Sequence, residues 1–177
     1  MLCHFARHGL LPELRAYLDH RARVTPEVER ELLRLSVRPE FRQLHDHLAR
    51  DGVAVRRHGK WPKRTGQLPD ALKPAFARVL ELKRAVGEHE RAHAGEIATV
   101  LMATHRQADL VVIDDDWGAD FAAKVCGLAV MSTARLTLEM VASGALGDDE
   151  GFLVFDGATP PGVGRERYEK RLRQMRR

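Results

Sequence analysis

Residues 95–133 read GEIATVLMATHRQADLVVIDDDWGADFAAKVCGLAVMST, and this stretch decides the fold. Short apolar runs alternate in it with longer segments that have the apolar spacing of helices. The pattern predicts helices over 95–107 and 117–127 and strands over 108–116 and 128–133. Parallel strands need such helical crossovers. We therefore expect an α/β protein, a three-layer α/β/α sandwich with a central parallel sheet.

Helices are also expected on both sides of this stretch. Apolar residues at helical spacing predict one over 9–21 and another over 134–146. In ARVTPEVERELLRL (22–35) a short strand should precede a helix. Thr25 is a natural N-cap for that helix and Pro26 fits its first position. Further helices are expected over 39–52 and 68–87, with a strand over 53–57 between them.

Length and composition indicate a globular protein. The chain has 177 residues, of which 44% are hydrophobic and 31% charged. That length suits one domain, placed at 1–146, followed by a loop-rich, basic C-terminal extension over 147–177. No apolar run is long enough to span a membrane, and the two cysteines are too few for a disulfide framework. We expect a cytoplasmic protein that does not bind membranes.

The distribution of positive charge suggests a nucleic-acid partner. The net charge is +4, and VRRHGKWPKRTG (55–66) has five cations and no acid around one tryptophan. Cations contact phosphates and an aromatic ring stacks on bases, although a solvated loop fits this segment equally well. The residues concerned are Arg56, Arg57, Lys60, Trp61, Lys63 and Arg64. The tail RERYEKRLRQMRR (165–177) is also basic and reads as a short exposed helix.

Carboxylates from three segments are candidates for a metal site. Asp114, Asp115 and Asp116 follow the apolar run VVI, and ligand sites of such folds lie where strands end. Adjacent acids repel one another unless a cation compensates, and their oxygens suit Mg²⁺ or Mn²⁺. The competing interpretation is that one acid caps the next helix while the others are solvated. Glu96, which begins the helix before this strand, and Glu31 could join them.

The order of these motifs resembles the PIN-domain family, in particular its VapC-like bacterial branch. The residues that carry the resemblance are Glu31 before Leu32, Gly95–Glu96 opening a helix, Asp114–Asp115 after an apolar strand, and Thr133 at the end of a later strand. The resemblance covers roughly residues 2–146. It implies a metal-dependent ribonuclease that cleaves single-stranded RNA, often the toxin of a toxin–antitoxin pair, and a homodimer. By the same resemblance Glu31, Glu96 and Asp114 would bind Mg²⁺ or Mn²⁺, with Asp115 as a supporting ligand and Thr133 placing water or phosphate.

One part of the family pattern is missing. PIN domains begin with a strand that carries an acid, whereas this sequence begins MLCHFARHGLLPEL. Leu2 and Phe5 align with residues that follow the acid. The resemblance therefore implies either a start at an internal methionine or the loss of one carboxylate. Such a loss would weaken metal binding and leave a module that binds RNA or protein without cleaving.

A second motif points to another class of enzyme. His89, Glu90 and His93 spell H-E-x-x-H, which on a continuous helix would place two zinc ligands and a base on one face. Gly87 and Gly95 leave only a short helix for it, and no third ligand is obvious. The zinc-hydrolase hypothesis explains these few residues, and the PIN hypothesis explains Glu96 and the segments after it.

Two smaller expectations concern the helix after the acids. Asp120 could face the acid cluster or pair with Lys124 one turn later. Cys126, before Gly127, should pack as a small apolar group.

Overall fold

A computed structural model describes residues 1–19, 24–41 and 94–177, together with the single positions 44, 74, 77, 78 and 81. Eight helices and two strands lie in these ranges. The helices are α1 (Leu2–Arg7), α2 (Leu11–Leu18), α3 (Pro26–Leu35), α4 (Ala94–Arg106), α5 (Asp116–Asp120), α6 (Thr133–Ala142), α7 (Asp148–Gly157) and α8 (Gly164–Met175), and the strands are β1 (Val111–Val112) and β2 (Val130–Met131). A 3-10 turn (Pro39–Phe41) follows α3, and a π-helical turn (Phe121–Val125) continues α5.

The described residues form a mixed α/β fold that is mostly helical, with a small two-stranded parallel sheet. The backbone N–H of Val111 donates to the carbonyl of Ala129 at 3.0 Å. Both strands lie where the apolar runs predicted them, although each is only two residues long. The predicted helices at 9–21, 95–107, 117–127 and 134–146 are confirmed as α2, α4, α5 with its π-helical turn, and α6. The elements expected over 39–87 lie largely outside the described residues.

The ends of two helices follow the local signals in the sequence. The Thr25 side-chain oxygen accepts the backbone N–H of Val28 at 3.3 Å, so Thr25 caps α3 as predicted. Gly127 ends the π-helical turn with a φ of +66°, a conformation that residues with a β-carbon rarely adopt.

The chain divides into two compact units. The described residues of one unit lie within 24–31 and 94–130, plus positions 74, 77, 78 and 81. Its core joins α4, β1 and the turn after α5. The buried residues of this core are Ile97, Val100, Leu101, Ala103, Val111, Ile113, Phe121 and Ala122. Trp117 packs against this core and stacks on Phe121, with 5.5 Å between the ring centres.

The other unit is helical. Its described residues lie within 1–19, 32–41 and 131–177, plus position 44. Helices α6, α7 and α8 pack pairwise on one another, and α1 contacts α2, α7 and the 3-10 turn. Phe5, Met140, Val154, Phe155 and Tyr168 are almost fully buried in this unit.

The C-terminal segment is helical over most of its length, so the expectation of a loop-rich extension is wrong. The acids of GDDEG form the first turn of α7, where negative charge stabilises the positive helix end. Val154 and Phe155 on α7 and Tyr168 and Leu172 on α8 are buried. Because α6 packs against these two helices, the predicted boundary after residue 146 falls inside one packed group. The basic tail is the helix that was expected, with one face buried.

Within the described residues, no helix is both long enough and apolar enough to cross a membrane.

Candidate active site

The four acids of the predicted site lie in the same unit, the one that contains α4 and β1. Glu31 is on α3, Glu96 is in the first turn of α4, and Asp114 and Asp115 lie between β1 and α5. Glu31 and Asp114 are exposed, whereas Glu96 and Asp115 are half-buried. The acids thus come from three separate segments of one compact unit.

Gly95 brings Glu31 next to the start of α4. Gly95 is buried, and a β-carbon at this position would lie 2.9 and 3.1 Å from the two carboxylate oxygens of Glu31. Real β-carbons essentially never approach other atoms as closely as 2.9 Å, so the Glu31 carboxylate occupies space that only glycine leaves open. Glu31 therefore approaches the first turn of α4, the turn that also carries Glu96.

Gly118 brings Glu96 next to the start of α5. A β-carbon on Gly118 would lie 3.1 Å from both Cβ and Cγ of Glu96 and 3.0 Å from Cγ2 of Ile113. The N–H of the same glycine donates to Oδ2 of Asp115 at 2.8 Å. The Glu96 stem and the Asp115 carboxylate therefore both contact Gly118.

Asp115 has a structural role in addition to any chemical one. It is the N-cap of α5, and its carboxylate satisfies a backbone N–H that has no partner within the helix. This is the capping role that the competing interpretation of the three aspartates predicted for one of them. Asp115 is therefore better suited to supporting a metal ligand than to being the principal one.

The chemistry of the donors fits a hard divalent cation, because carboxylate oxygens are the preferred ligands of Mg²⁺ and Mn²⁺. The side chains as they stand are more spread out than a closed coordination shell. In the part of the chain that the structure describes, no group of three or more histidine, cysteine, aspartate or glutamate side chains is positioned to hold a metal ion.

Thr133 lies in the other unit, as the first residue of α6, and is fully buried. Its carbonyl accepts the Thr137 hydroxyl at 2.8 Å. The residue before it, Ser132, caps the helix by accepting the Arg135 N–H at 3.2 Å.

Two predictions near the acids are confirmed by the structure. Lys124 Nζ lies 2.7 Å from Asp120 Oδ2, so Asp120 forms the ion pair that was one of its two expected roles. Both side chains are more than 60% exposed, at 71% and 65%, so the pair adds little stability. Cys126 packs against the core of its unit, and burial raises the pKa of its thiol while a hydrogen bond with Thr104 lowers it.

Two predicted groups lie outside the described residues. They are the basic segment Arg56, Arg57, Lys60, Trp61, Lys63 and Arg64, and the H-E-x-x-H residues His89, Glu90 and His93.

Gly118 is the site residue that sequence reasoning missed. Its signal was present, since it follows Asp115 by three residues, the spacing at which an N-cap side chain accepts a backbone N–H. That spacing predicts the cap, but the approach of Glu96 depends on how α4 packs and could not be read from the pattern. In the sequence, Gly95 stands out only as the residue that opens α4.

Comparisons with protein-family models, with curated proteins and with solved structures find no match to this chain.

Proposed function

We propose that this protein is an endoribonuclease of the PIN type that cleaves single-stranded RNA with the help of Mg²⁺ or Mn²⁺. One observation carries the proposal. The Glu31 carboxylate lies against Gly95, the chain neighbour of Glu96, and both the Glu96 stem and the Asp115 carboxylate contact Gly118, so acids from three segments approach the starts of α4 and α5 within one unit. Of the two buried glycines, Gly95 leaves room for a carboxylate and Gly118 leaves room for the stem of Glu96.

The acids divide into three metal ligands and one supporting residue. Glu31, Glu96 and Asp114 would hold the ion, and Asp115 would support them while capping α5. When bound, such an ion supplies a water of lowered pKa and neutralises charge on the scissile phosphate. Glu96 is suited to a principal role, because none of the hydrogen bonds or ion pairs found among the described residues involves its carboxylate. The positive end of α4 also attracts a negative charge at this position.

The remaining predicted residues would act on the RNA. The basic segment from Arg56 to Arg64 would contact the phosphate backbone, and Trp61 would stack on a base. Thr133 would position the attacking water or a phosphate oxygen, and because its side chain is fully buried this role requires that solvent reach it.

The proposal includes a fold and a setting. β1 and β2 would belong to the central parallel sheet of a three-layer sandwich, with α4 as the crossover that leads into β1. The enzyme would act in the cytoplasm, as a homodimer and as the toxin of a toxin–antitoxin pair.

Cleavage of a labelled single-stranded RNA in Mn²⁺ tests this function. Asp114→Asn and Glu96→Gln should each reduce the rate by about 100-fold or more, since even residues that only support metal ligands cost 10–100-fold. Asp120→Asn is the matched control, because this exposed acid pairs with Lys124, and it should cleave like the wild type. Equal cleavage by the wild type and all three variants would contradict the assignment. If the wild type does not cleave the RNA, the assignment as an enzyme is wrong, and the alternative remains a module that binds RNA or a protein without cleaving.

A further inference from the structure

Helix α8 and the two residues after it are rich in cations, and the packing of α8 divides them into two sets. The basic side chains are Arg165, Arg167, Lys170, Arg171, Arg173, Arg176 and Arg177. Tyr168 and Leu172 on the same helix are buried against the helical unit. Cations on either side of this buried pair lie close to α7, and the others point away from it.

Three cations are committed to the contact with α7. Arg165 lies 2.6 Å from Asp149, and Arg176 lies 2.9 Å from Asp148. The Arg171 guanidinium lies over the ring of the buried Phe155, 5.9 Å from its centre. These three side chains already have partners on α7.

The other four cations form an outer face. This outer face consists of Arg167, Lys170, Arg173 and Arg177, all of them exposed. At 100° per residue Arg167, Lys170 and Arg173 lie on the side of α8 opposite Tyr168 and Leu172, and Arg177 follows the end of the helix. No ion pair of these four side chains is found among the described residues. Two acids lie one turn before cations of this face: Glu166 before Lys170, and Glu169, which pairs with Arg165 at 3.3 Å, before Arg173.

We infer that this outer face binds the sugar–phosphate backbone of single-stranded RNA. The helical part of the face, from Arg167 to Arg173, extends over about 9 Å, and with Arg177 beyond the helix end it is long enough to meet more than one phosphate. Three of its four cations are arginines, whose planar groups bind phosphate oxygens in pairs. Each cation that neutralises a phosphate releases counterions, and this supplies affinity without any requirement for base sequence.

Two other anionic partners fit the outer face less well. An amphipathic helix binds a membrane by inserting its apolar side, but that side of α8 is buried against the protein. A protein interface is organised around apolar or aromatic anchors, whereas Gln174 and Glu166 are the residues that lie between these cations. A continuous line of phosphates needs no such anchor.

The test is binding of a fluorescein-labelled single-stranded RNA, followed by anisotropy as the salt concentration is raised. The inference rests on the proposed function in its choice of RNA, so all proteins carry Glu96→Gln and the buffer contains EDTA. The probe then stays intact, and loss of binding is measured separately from loss of cleavage. The outer-face variant replaces Lys170, Arg173 and Arg177 by Gln, which keeps helix propensity. The matched control replaces the exposed Arg34, Arg38 and Arg106 by Gln, with the same change in net charge.

The outer-face variant should bind about tenfold more weakly at low salt, and its log–log salt slope should fall by about 2, or about 0.7 for each phosphate that is no longer neutralised. The control should change the slope by less than about 0.7. If the triple variant does not fold, single replacements of Lys170 and of Arg177 test the inference instead. Each should lower the salt slope by about 0.7. Equal weakening in outer-face and control variants would overturn the inference, since net charge would then explain it. Tighter binding of the Glu96→Gln parent protein to polyglutamate or to anionic vesicles than to RNA at the same salt would also overturn it.

Discussion

At the scale of single residues, two glycines determine where the acids of the proposed site can lie. Gly95 makes room for the carboxylate of Glu31, and Gly118 makes room for the stem of Glu96. The two contacts differ in kind, because a carboxylate at the end of a flexible side chain can swing away. The Cβ of Glu96 and the Cγ2 of Ile113 are held by the packing of α4 and of the segment after β1.

This difference predicts that replacing glycine by alanine affects stability at Gly118 and catalysis at Gly95. Gly118→Ala should lower the free energy of unfolding by about 1–3 kcal/mol, because the new methyl is overpacked against Ile113 and Glu96. Gly95→Ala should leave that free energy within about 1 kcal/mol of the wild type, since helix propensity offsets the displacement of Glu31. It should nevertheless reduce RNA cleavage, because the Glu31 carboxylate can no longer lie against the start of α4.

Urea unfolding and the cleavage assay together check the pair. A Gly95→Ala protein with normal stability and normal cleavage would show that the position of Glu31 against α4 has no part in catalysis. Equal loss of stability in both variants would show that the Glu31 contact is as rigid as the Glu96 contact.

At the scale of elements, the group formed by α6, α7 and α8 depends on close contact at Gly151. A β-carbon on this residue of α7 would overlap Cγ2 of Val141 on α6 and would lie 2.8 Å from the Tyr168 hydroxyl on α8. The small residue therefore allows three helices to meet at one point. Gly157, in the last turn of α7, has only an ordinary contact there, 3.4 Å from Nδ1 of His4.

Alanine should therefore have different effects at the two ends of α7. Gly151→Ala should destabilise the protein by about 3 kcal/mol, because its methyl meets branched and aromatic groups that cannot turn aside. Gly157→Ala should be neutral or stabilising by up to about 1 kcal/mol, the ordinary gain of alanine over glycine in a helix. Thermal and urea unfolding of both variants measure the difference. A Gly151→Ala protein as stable as Gly157→Ala would contradict the packing of these helices.

At the scale of the whole molecule, Tyr168 links global stability to alkaline pH. Burial, and next the negative charge of Asp148, raise the pKa of Tyr168 to about 12. Its hydroxyl donates to the Asp148 carbonyl at 3.0 Å, and its ring makes edge contacts with Phe152 and Phe155. The pKa of tyrosine in an unfolded chain is about 10. Between these two values the folded state therefore holds a proton that the unfolded state has lost.

The free energy of unfolding should accordingly fall as the pH rises from about 10 to 12. Tyr168→Phe should cost about 0.5–1.5 kcal/mol at pH 8, where the hydrogen bond is removed, and should abolish this part of the alkaline decline. Urea unfolding of both proteins at pH 8 and pH 11 checks the prediction, because other titrating groups contribute equally to the two. A constant difference between them at both pH values would contradict it.

The local signals were sufficient for the elements that depend on local chemistry. The apolar spacing of 95–107 predicts α4, Thr25 and Pro26 predict the start of α3, and Gly127 predicts the end of the turn after α5. Caps, helix propensity and left-handed glycines act over a few residues, so short patterns contain the necessary information. The pattern after residue 146 instead indicates loops, because the acids and glycines of GDDEG and GATPPGVG suit loops as well as helix ends. Burial of Val154, Phe155 and Tyr168 among three helices makes the segment helical.

By itself, the sequence determined the type and order of most described elements, the capping of α3 and the acids that could form a site. Tertiary structure decided where these acids lie, since the contacts of Glu31 with Gly95 and of Glu96 with Gly118 join residues that are far apart in the chain. It also decided which cations of α8 fasten the helix to α7 and which form the outer face. Such contacts depend on the packing of whole elements, and a pattern of residue types along one segment contains no information about its neighbours in space.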